Sequence, residues 1–316
     1  MKLLVTGGAG YIGSHVVRLA EAAGAEITVV DDLSTGITSR INCPLEKIEL
    51  SQDAAIGQLT ELMSRTTFDA VIHLAARKQV GQSVEQPERY YRDNVGGLAN
   101  LLTAMRATDT KKIVFSSSAA TYGMPDVETV SEDYPGKPIN PYGETKLVGE
   151  WLVRAASFWG LRSVNLRYFN VAGTGYPDLA DTAALNLIPI AIGHIRAGKS
   201  PIVFGDDYQT PDGSCIRDYV HVQDLAAAHL RAVEYLDNSE RPYDTFNVGT
   251  GVGASVFEVL SELKTASGID FDIEVGSRRA GDPPRLVADV SRIEKILGFS
   301  CEKDLAEIVQ SAWDAS

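Results

Sequence analysis

Tyr142 and Lys146 form the only Tyr-x-x-x-Lys pair in the chain, and this pair could supply a base. On a helix, residues i and i+4 lie on one face, so the phenol and the ammonium should point together. A nearby ammonium favours the phenolate, which can then remove a proton near neutral pH. The pair by itself is a weak signal, because two common residue types often occur at this spacing by accident.

Three consecutive serines, Ser116 to Ser118, precede this pair at the end of an apolar strand. A hydroxyl at that point could bond both the tyrosine oxygen and a hydroxyl of the substrate. The alternative for each serine is capping of the strand end. Both interpretations stay open on the residues alone.

A glycine-rich turn follows the first predicted strand, with Gly7, Gly10 and Gly13 at positions i, i+3 and i+6. The first glycine permits a tight turn, the second lets the backbone approach a pyrophosphate, and the third lets the helix pack on the strand. The N-terminus of the helix then offers free N–H groups to phosphates. Asp31 ends the second strand, where a carboxylate can bind the ribose and repel a 2′-phosphate, so NAD is favoured over NADP. The alternative is a glycine turn without a ligand.

The elements around these motifs alternate between strand and helix. Short apolar runs predict strands at 2–6, 27–31, 70–72, 113–115 and 163–167, and helical patterns occur near 11–24, 87–106 and 143–158. Such alternation indicates a parallel sheet covered on both faces. Beyond about residue 170, loops rich in Gly, Pro and Asp separate shorter elements. We therefore predict an α/β fold, with a Rossmann-type doubly wound parallel sheet in an NAD-binding domain (1–170). A smaller C-terminal α/β substrate-binding lobe (171–316) should follow, and parts of 218–250 should pack back on the first domain.

Composition and charge exclude several classes of protein. The net charge of -13 disfavours nucleic acid or an anionic membrane surface as a partner. No apolar stretch approaches the ~20 residues of a membrane span, and the N-terminus has no secretory pattern. Cys43, Cys215 and Cys301 are scattered, which predicts reduced thiols in the cytoplasm. Neither their spacing nor that of the histidines suggests a metal site.

Several distinct sequence motifs follow one another along the chain from Met1 to about residue 290. They are TGGAGYIGSH (6–15), VIHLAA (71–76), GQSV (81–84), the stretch 87–94, FSSSAATYG (115–123), PYGETK (141–146), LRYFN (166–170), RDYVHV (217–222) and Gly281-Asp282. Through these motifs the chain resembles the extended short-chain dehydrogenase/reductase family of sugar-nucleotide enzymes. Within it, the chain is most similar to the UDP-glucose 4-epimerases.

Ala119 and Ala120 distinguish between activities within that family. The related 4,6-dehydratases carry an Asp-Glu pair at these places, and the related decarboxylases carry a Glu at the second. GDP-sugar epimerase-reductases have Cys and His at the corresponding places. Without these groups, Ser, Tyr and Lys remain, which suffice for reversible oxidation at one carbon.

The resemblance implies an NAD-dependent isomerase that interconverts UDP-glucose and UDP-galactose. Tyr142 would remove the proton of the sugar 4-hydroxyl, and Ser118 would bond that oxygen and help relay the proton. Lys146 would bond the nicotinamide ribose and keep the pKa of Tyr142 low. The 4-keto sugar would then turn over while its UDP stays anchored, and the NAD would remain bound throughout.

The resemblance also implies two sets of binding residues. The NAD contacts are Gly7, Gly10, Tyr11, Ile12, Gly13, Asp31, Asp32, Leu33, Ser34, Thr35, Gly36, Leu50, Ser51, Leu74, Ala75, Ala76, Lys78, Asn94, Ser116, Tyr142, Lys146 and Phe169. The UDP-sugar contacts are Ser118, Tyr142, Asn170, Asn186, Leu187, Val203, Phe204, Arg217, Arg279, Asp282 and Leu286. Arg217 and Arg279 would hold the diphosphate, because guanidinium suits bidentate phosphate contact. Asp282 would bind the uridine ribose.

The chain departs from the family pattern in a few places. Leu50 stands where many members have an Asp against the adenine, and Asp53 is the alternative partner for the adenine amino group. Ala76 replaces a frequent glycine. Leu286 aligns with a position that is bulky in enzymes restricted to UDP-glucose and UDP-galactose, so simple hexoses are the expected substrates.

Alternative functions remain on the sequence alone. A 4-epimerase of a related UDP-sugar, such as a uronic acid, a pentose or an N-acetylhexosamine, would use the same residues. A non-catalytic NAD-sensing protein of the same fold is disfavoured, because such proteins typically lose the tyrosine or the lysine. The resemblance implies a homodimer formed through the helices near 87–106 and 143–158. The apolar residues Leu98, Leu101, Leu102, Leu147, Trp151 and Leu152 fit that interface and fit packing on the sheet equally well.

Overall fold

The computed structural model describes residues 1–183, 185–279 and 281–316. The chain divides into two compact units. The first unit contains Met1–Thr121, Gly136–Arg167 and Ala226–Phe246, and the second contains Tyr122–Pro135, Tyr168–Leu225 and Asn247–Ser316.

Strands and helices alternate through the chain. The strands are β1 (Lys2–Thr6), β2 (Glu26–Asp31), β3 (Leu45–Lys47), β4 (Ala70–His73), β5 (Lys112–Ser118), β6 (Arg162–Tyr168), β7 (Asn170–Ala172), β8 (Ile202–Phe204), β9 (Ile216–His221), β10 (Tyr243–Val248), β11 (Gly253–Ser255), β12 (Glu274–Gly276) and β13 (Arg285–Leu286). The helices are α1 (Tyr11–Ala22), α2 (Ala55–Arg65), α3 (Val80–Glu85), α4 (Pro87–Tyr90), α5 (Gly97–Ala107), α6 (Pro141–Ala155), α7 (Leu187–Arg196), α8 (Val222–Asn238), α9 (Val256–Ser267), α10 (Ser291–Leu297) and α11 (Leu305–Asp314). None of the helices within the described residues is long and apolar enough to cross a membrane.

A seven-stranded sheet organises the first unit, in the order β10-β6-β5-β4-β1-β2-β3. The neighbouring pairs from β5 through β4, β1 and β2 to β3 all run parallel. Strands β1 and β4 are apolar on both faces and almost wholly buried, as expected for strands that helices cover on each side. The predicted α/β fold with a parallel sheet is therefore confirmed. The strand order reverses between β1 and β4, and ligands of such sheets bind beyond the carboxyl ends of the strands at that point.

Helices α2 and α5 pack on one face of this sheet. Leu98 and Leu101 of α5 are fully buried in a cluster with Leu59 of α2 and Ile113 of β5. These leucines, which also fitted a dimer interface, thus fill the core of the unit. Trp151 of α6, in contrast, is half exposed.

The helix predicted near 87–106 contains a wider turn. A π-helical segment, Tyr91–Gly96, lies between α4 and α5. Such segments are rare and occur mostly as single turns within α-helices, often at functional sites. Asn94 within the segment is buried.

The second unit holds smaller sheets around a separate core. Strand β9 pairs with β11, β13 and β7, and β8 pairs with β12. The core of this unit is formed by apolar side chains of α7, α9 and α11 together with those of the strands, among them Ile192, Leu260 and Val309.

Asp218 of β9 ties three segments of the second unit together. Its buried carboxylate accepts hydrogen bonds from Thr250 N and Thr250 Oγ1 (2.8 and 2.9 Å) through Oδ1. The other oxygen accepts from Gly251 N and Ala288 N at 3.0 and 3.1 Å. Burial raises the pKa of this carboxyl, and the four hydrogen bonds oppose that rise.

Replacement of Asp218 by asparagine should therefore destabilise the protein. The amide keeps one acceptor oxygen and turns an N–H₂ group towards backbone donors, leaving buried groups unsatisfied at roughly 1–3 kcal/mol each. We expect Asp218→Asn to lower the free energy of unfolding in urea by at least about 2 kcal/mol. The control Asp272→Asn alters an exposed carboxylate and should stay within about 0.5 kcal/mol of the parent. Equal stabilities for the two variants would contradict this role for Asp218.

Candidate active site

The turn between β1 and α1 forms a narrow backbone cradle. Gly7 has a φ of +75°, and its N–H donates to Val30 O at 2.8 Å. A Cβ on Gly7 would lie 2.6 Å from Ala75 N, and one on Gly13 would lie 2.1 Å from Gly7 O. Glycine is therefore required at both positions by the close approach of β1, α1 and the end of β4.

Gly10 has more space around its Cα than the other two glycines. A Cβ on Gly10 would meet Gly7 O alone, at 3.3 Å. Gly10 is also the N-cap of α1, and its position provides no side-chain cap for the first turn. The N-terminus of α1 with its partial positive charge is thus available to an anion approaching past Gly10.

Asp31 lies beside this cradle at the end of β2. Its carboxylate accepts hydrogen bonds from Ala9 N (3.1 Å) and Leu33 N (2.9 Å). Burial raises the pKa of Asp31, while these two backbone bonds act to lower it. The segment that follows returns to the glycine turn, where Ile37 N donates to Ala9 O at 2.9 Å. The predicted contacts from Asp32 to Gly36 line this half-buried to exposed return.

The segment after β4 is held by Asn94. The side chain of Asn94 accepts from Arg77 N at 2.7 Å and donates to Arg77 O at 3.1 Å. It also donates to Thr145 Oγ1 of α6 at 3.0 Å. Asn94 therefore joins three elements around the predicted cofactor contacts Leu74, Ala75, Ala76 and Lys78. Of these, Ala76 and Lys78 are exposed, and Leu74 and Ala75 are half-buried.

Leu50, which stands where many family members have an acid, lies in the core rather than on the surface. Its side chain is buried within the core of the first unit. Its backbone carbonyl accepts a hydrogen bond from Asn100 Nδ2 at 2.8 Å. Ser51 is half-buried and Asp53 is exposed. The substitution of Leu for an acid thus adds apolar packing under α5.

Helix α6 brings Tyr142 and Lys146 to the carboxyl end of β5. The helix begins at Pro141, and the side chain of Asn140 caps it by accepting from Gly143 N at 2.9 Å. Lys146 Nζ donates to Ser116 O at 2.7 Å and lies 6.0 Å from the centroid of the Tyr142 ring. Both side chains are buried. The predicted juxtaposition of phenol and ammonium on one helix face is present.

Ser118 is the strand-end serine that interacts with the phenol. A hydrogen bond with Ser118 acts to lower the pKa of Tyr142, whereas burial raises it by more, and Tyr90 adds to the rise. The protein groups alone therefore raise the pKa of Tyr142, in contrast to the lowered pKa expected from the sequence. The other two serines bond elsewhere, Ser116 Oγ with His229 Nε2 (2.8 Å) and Ser117 Oγ with Glu150.

Burial also decides the charge of Lys146. It lowers the pKa of the Lys146 ammonium to about 7, and the negative charge of Glu150 acts in the opposite direction. Ala119 and Ala120 begin a short 3-10 turn directly after β5. The two positions that carry acids in related dehydratases thus hold methyl groups beside Ser118.

The predicted uridine and diphosphate residues of the second unit contact one another. Arg217 of β9 donates to Ile216 O and Pro283 O, and its Nη2 lies 3.7 Å from Asp282 Oδ1. Leu286 of β13 pairs with Arg217 across the two strands. The predicted diphosphate and ribose ligands are therefore adjacent.

A second pair in this unit joins Arg279 to Phe204. The guanidinium carbon of Arg279 lies 3.8 Å from the centroid of the Phe204 ring. Val203 is buried beside Phe204 on β8, and Leu187 begins α7. Asn170 and Asn186 are exposed at the start of β7 and at the N-cap of α7. Phe169 is buried, 6.5 Å from the Tyr122 ring.

Several residues near these sites were not singled out from the sequence. One of them is Arg77, whose backbone N–H donates to Asn94 and whose side chain forms an ion pair with Asp93. Glu150 lies four residues after Lys146, a spacing that could have suggested their interaction. Within the described residues, no cluster of His, Cys, Asp and Glu could hold a metal ion.

Comparison with known proteins assigns the chain to a family. The model of the NAD dependent epimerase/dehydratase family matches residues 3–249. The UDP-glucose 4-epimerase of Corynebacterium glutamicum is 41% identical over 319 residues, which cover 99% of this chain and 95% of that protein. A crystal structure of UDP-glucose 4-epimerase from Brucella ovis in complex with NAD is 41% identical, with a TM-score of 0.94 and coverage of 99% and 97%. The structure of the UDP-Glc/GlcNAc 4-epimerase from Campylobacter jejuni is also 41% identical, with a TM-score of 0.86 and coverage of 99% and 98%. This chain belongs to the NAD dependent epimerase/dehydratase family.

Proposed function

We propose that this protein is an NAD-dependent UDP-glucose 4-epimerase that interconverts UDP-glucose and UDP-galactose. The observation that carries the proposal is the grouping of Ser118, Tyr142 and Lys146 at the end of β5, with alanines at 119 and 120. This set can move a proton at one hydroxyl but lacks the carboxyl pair needed to eliminate water. The names of the relatives at 41% identity agree with this activity.

The residues of the glycine turn fit a dinucleotide. Gly10 leaves room for a pyrophosphate at the uncapped N-terminus of α1, and Asp31 offers a carboxylate for the ribose hydroxyls. The other NAD contacts predicted from the sequence remain part of this proposal. When bound, NAD supplies reversible oxidation and reduction at C4 of the sugar.

Tyr142 acts as the base in the proposed mechanism. Its oxygen takes the proton of the 4-hydroxyl and later returns it, and Ser118 bonds the same oxygen and helps relay that proton. Lys146 supplies the positive charge that favours the phenolate and is held in place by its bond to Ser116 O. Because burial raises the pKa of Tyr142, positive charge close to the phenol is needed at neutral pH.

The second unit binds the nucleotide in this proposal. Arg217 and Arg279 bind the diphosphate, and Asp282 binds the ribose. The rest of the UDP is surrounded by Phe204, Val203, Asn186, Leu187 and Asn170. Substrate and product differ only in configuration at C4, so the 4-keto hexose turns while UDP stays bound. A homodimer and a cytoplasmic location stay predictions.

A 4-epimerase of UDP-N-acetylglucosamine is the second candidate, since the relative from Campylobacter jejuni is named for both UDP-Glc and GlcNAc. Leu286, half-buried on β13, favours the simple hexoses because its side chain narrows the pocket predicted there.

The proposed base predicts a large effect of Tyr142→Phe. Loss of a general base typically lowers the rate about 10²–10⁴-fold, so kcat should fall by that range. The assay incubates purified protein with UDP-galactose, without added NAD, and measures UDP-glucose with a coupled dehydrogenase. Tyr91→Phe is the matched control, because the Tyr91 hydroxyl is exposed and bonds only the Glu144 side chain among its described hydrogen bonds. Wild-type turnover by Tyr142→Phe, or a dehydrated product from the wild-type protein, would refute the proposed mechanism.

The cradle predicts that Gly10→Ala weakens NAD binding. The φ and ψ of Gly10 (−76° and 176°) suit alanine, and the added methyl group would lie 3.3 Å from Gly7 O, so the turn needs to shift only by a few tenths of an ångström while the methyl group occupies the space proposed for the pyrophosphate. We expect at least a tenfold higher Kd for NAD, about 1.4 kcal/mol, measured by calorimetry. Gly57→Ala adds a methyl in open space on α2 and should bind NAD as the parent does. Equal NAD affinity in both variants would show that phosphate does not approach Gly10.

The pocket predicted around Leu286 gives a test of substrate preference. The wild-type protein should turn over UDP-N-acetylglucosamine with a kcat/KM at least about tenfold below that for UDP-glucose, as a bulky side chain costs the larger sugar about 1–3 kcal/mol. Leu286→Ala should bring the kcat/KM values for the two sugars closer together, whereas Leu286→Met, which conserves side-chain volume, should leave their ratio unchanged. Comparable activity of the wild-type protein on both sugars would instead support the second candidate.

A further inference from the structure

A buried ion pair lies directly behind the proposed catalytic residues. Arg167 of β6 donates to Glu150 of α6 through Nε at 2.8 Å and through Nη2 at 2.6 Å. The two side chains are only 9% and 6% exposed. Ser117 Oγ donates to the same carboxylate. Three donors from two strands therefore hold the Glu150 carboxylate in one orientation.

This carboxylate lies one helical turn beyond Lys146. Residues four apart on α6 share a face, so Glu150 and Lys146 are neighbours. Both are anchored at the carboxyl end of β5, Lys146 through Ser116 O at 2.7 Å and Glu150 through the adjacent Ser117. The ion pair is thus built into the same contact that places the Lys146 ammonium beside Tyr142.

A buried ion pair contributes little net stability to a protein. Desolvation of two charges largely cancels their attraction, so a well-packed apolar pair of similar volume often gives equal or greater stability. A nearby cation, however, gains directly from a fixed negative charge in a medium of low polarity. Lys146 is such a cation, and burial would otherwise favour its neutral form.

Glu150 stands out among the groups that face Lys146. On α6 the neighbours are Tyr142 and Glu150, and on β5 they are Ser116 O and the Phe115 ring, 5.2 Å from Nζ. On β4, burial holds the pKa of His73 at about 3, so this imidazole is neutral at physiological pH. His229 of α8 bonds Ser116 Oγ, and Arg167 of β6 is occupied by Glu150. Glu150 is the carboxylate whose charge opposes the effect of burial on Lys146.

We infer that Glu150 is a positioning residue whose carboxylate, fixed by Arg167 and Ser117, keeps the buried Lys146 side chain charged beside Tyr142. The inference deepens the proposed function and rests on it for its effect on turnover. Arg167 has the opposite electrostatic sign, since its own positive charge disfavours the ammonium while it orients the carboxylate. Two variants that break the same ion pair should thus affect Lys146 in different directions.

The direct test is the titration of Lys146 in the full-length protein. Lysine labelled with ¹³C at Cε reports its own protonation by NMR, and the Lys146 signal is identified by its loss in Lys146→Met. We expect Glu150→Gln to lower the titration midpoint of Lys146 by about one pH unit or more. Arg167→Gln should leave the midpoint unchanged or raise it. The double variant Glu150→Gln/Arg167→Gln removes both charges of the ion pair, so neither is left without its partner, and its midpoint should lie between those of the parent and Glu150→Gln.

The pH dependence of turnover gives a second readout. In Glu150→Gln the basic limb of the kcat profile with UDP-galactose should move to lower pH by the same amount as the NMR midpoint. A parent-like Lys146 midpoint in Glu150→Gln and in the double variant would overturn the inference. So would a downward shift of similar size in both single variants, because a purely structural role affects them alike. If the parent protein does not epimerise UDP-galactose, the proposed function fails, while the titration still decides the role of Glu150.

Discussion

The close packing of α6 on β5 and on the turn after it is the constraint on which the proposed catalytic arrangement depends. A Cβ on Gly143 would lie 2.5 Å from Ala120 O, and one on Gly149 would lie 2.5 Å from the Phe115 ring. The helix can approach the strand this closely only because both positions lack a side chain. Lys146 lies between these two glycines, and the short separation brings its Nζ to the carbonyl of Ser116. Tyr142 is carried to Ser118 by the same contact.

Burial determines the electrostatics of this arrangement. It raises the pKa of Tyr142 and lowers that of Lys146, so it disfavours in both residues the charged form that the proposed chemistry needs. The Glu150 carboxylate, held in place by Arg167, supplies a fixed negative charge at the same depth, where solvent screens it least. The charges of the proposed catalytic residues therefore depend on neighbours within the core rather than on the net charge of -13 of the whole chain.

Polar residues of the second unit also contact one another. Arg217 lies near Asp282, and Arg279 stacks on Phe204, so the residues proposed for UDP partner one another. Asp218, the residue next to Arg217, uses both carboxylate oxygens to join β9 to two other segments. The strand that carries the proposed diphosphate ligand is in this way held by a buried carboxylate with four donors.

Local spacing alone determined much of this protein. The 3.6-residue helix period places Tyr142 and Lys146 on one face, so their proximity could be predicted. The glycine turn lies between a predicted strand and a predicted helix, as in dinucleotide-binding folds, so its place in the parallel sheet could be predicted too. The tertiary structure decided what these local rules do not contain. Asp218 bonds Ala288 across 70 residues, and Glu150 meets Arg167 from a different element. The burial of Asn94 within the π-helical segment and the core position of Leu50 likewise depend on packing between distant segments. The pKa values of Tyr142 and Lys146 follow from burial, which the sequence pattern does not measure, and this is why the phenol pKa was expected to fall but is raised by the protein groups alone.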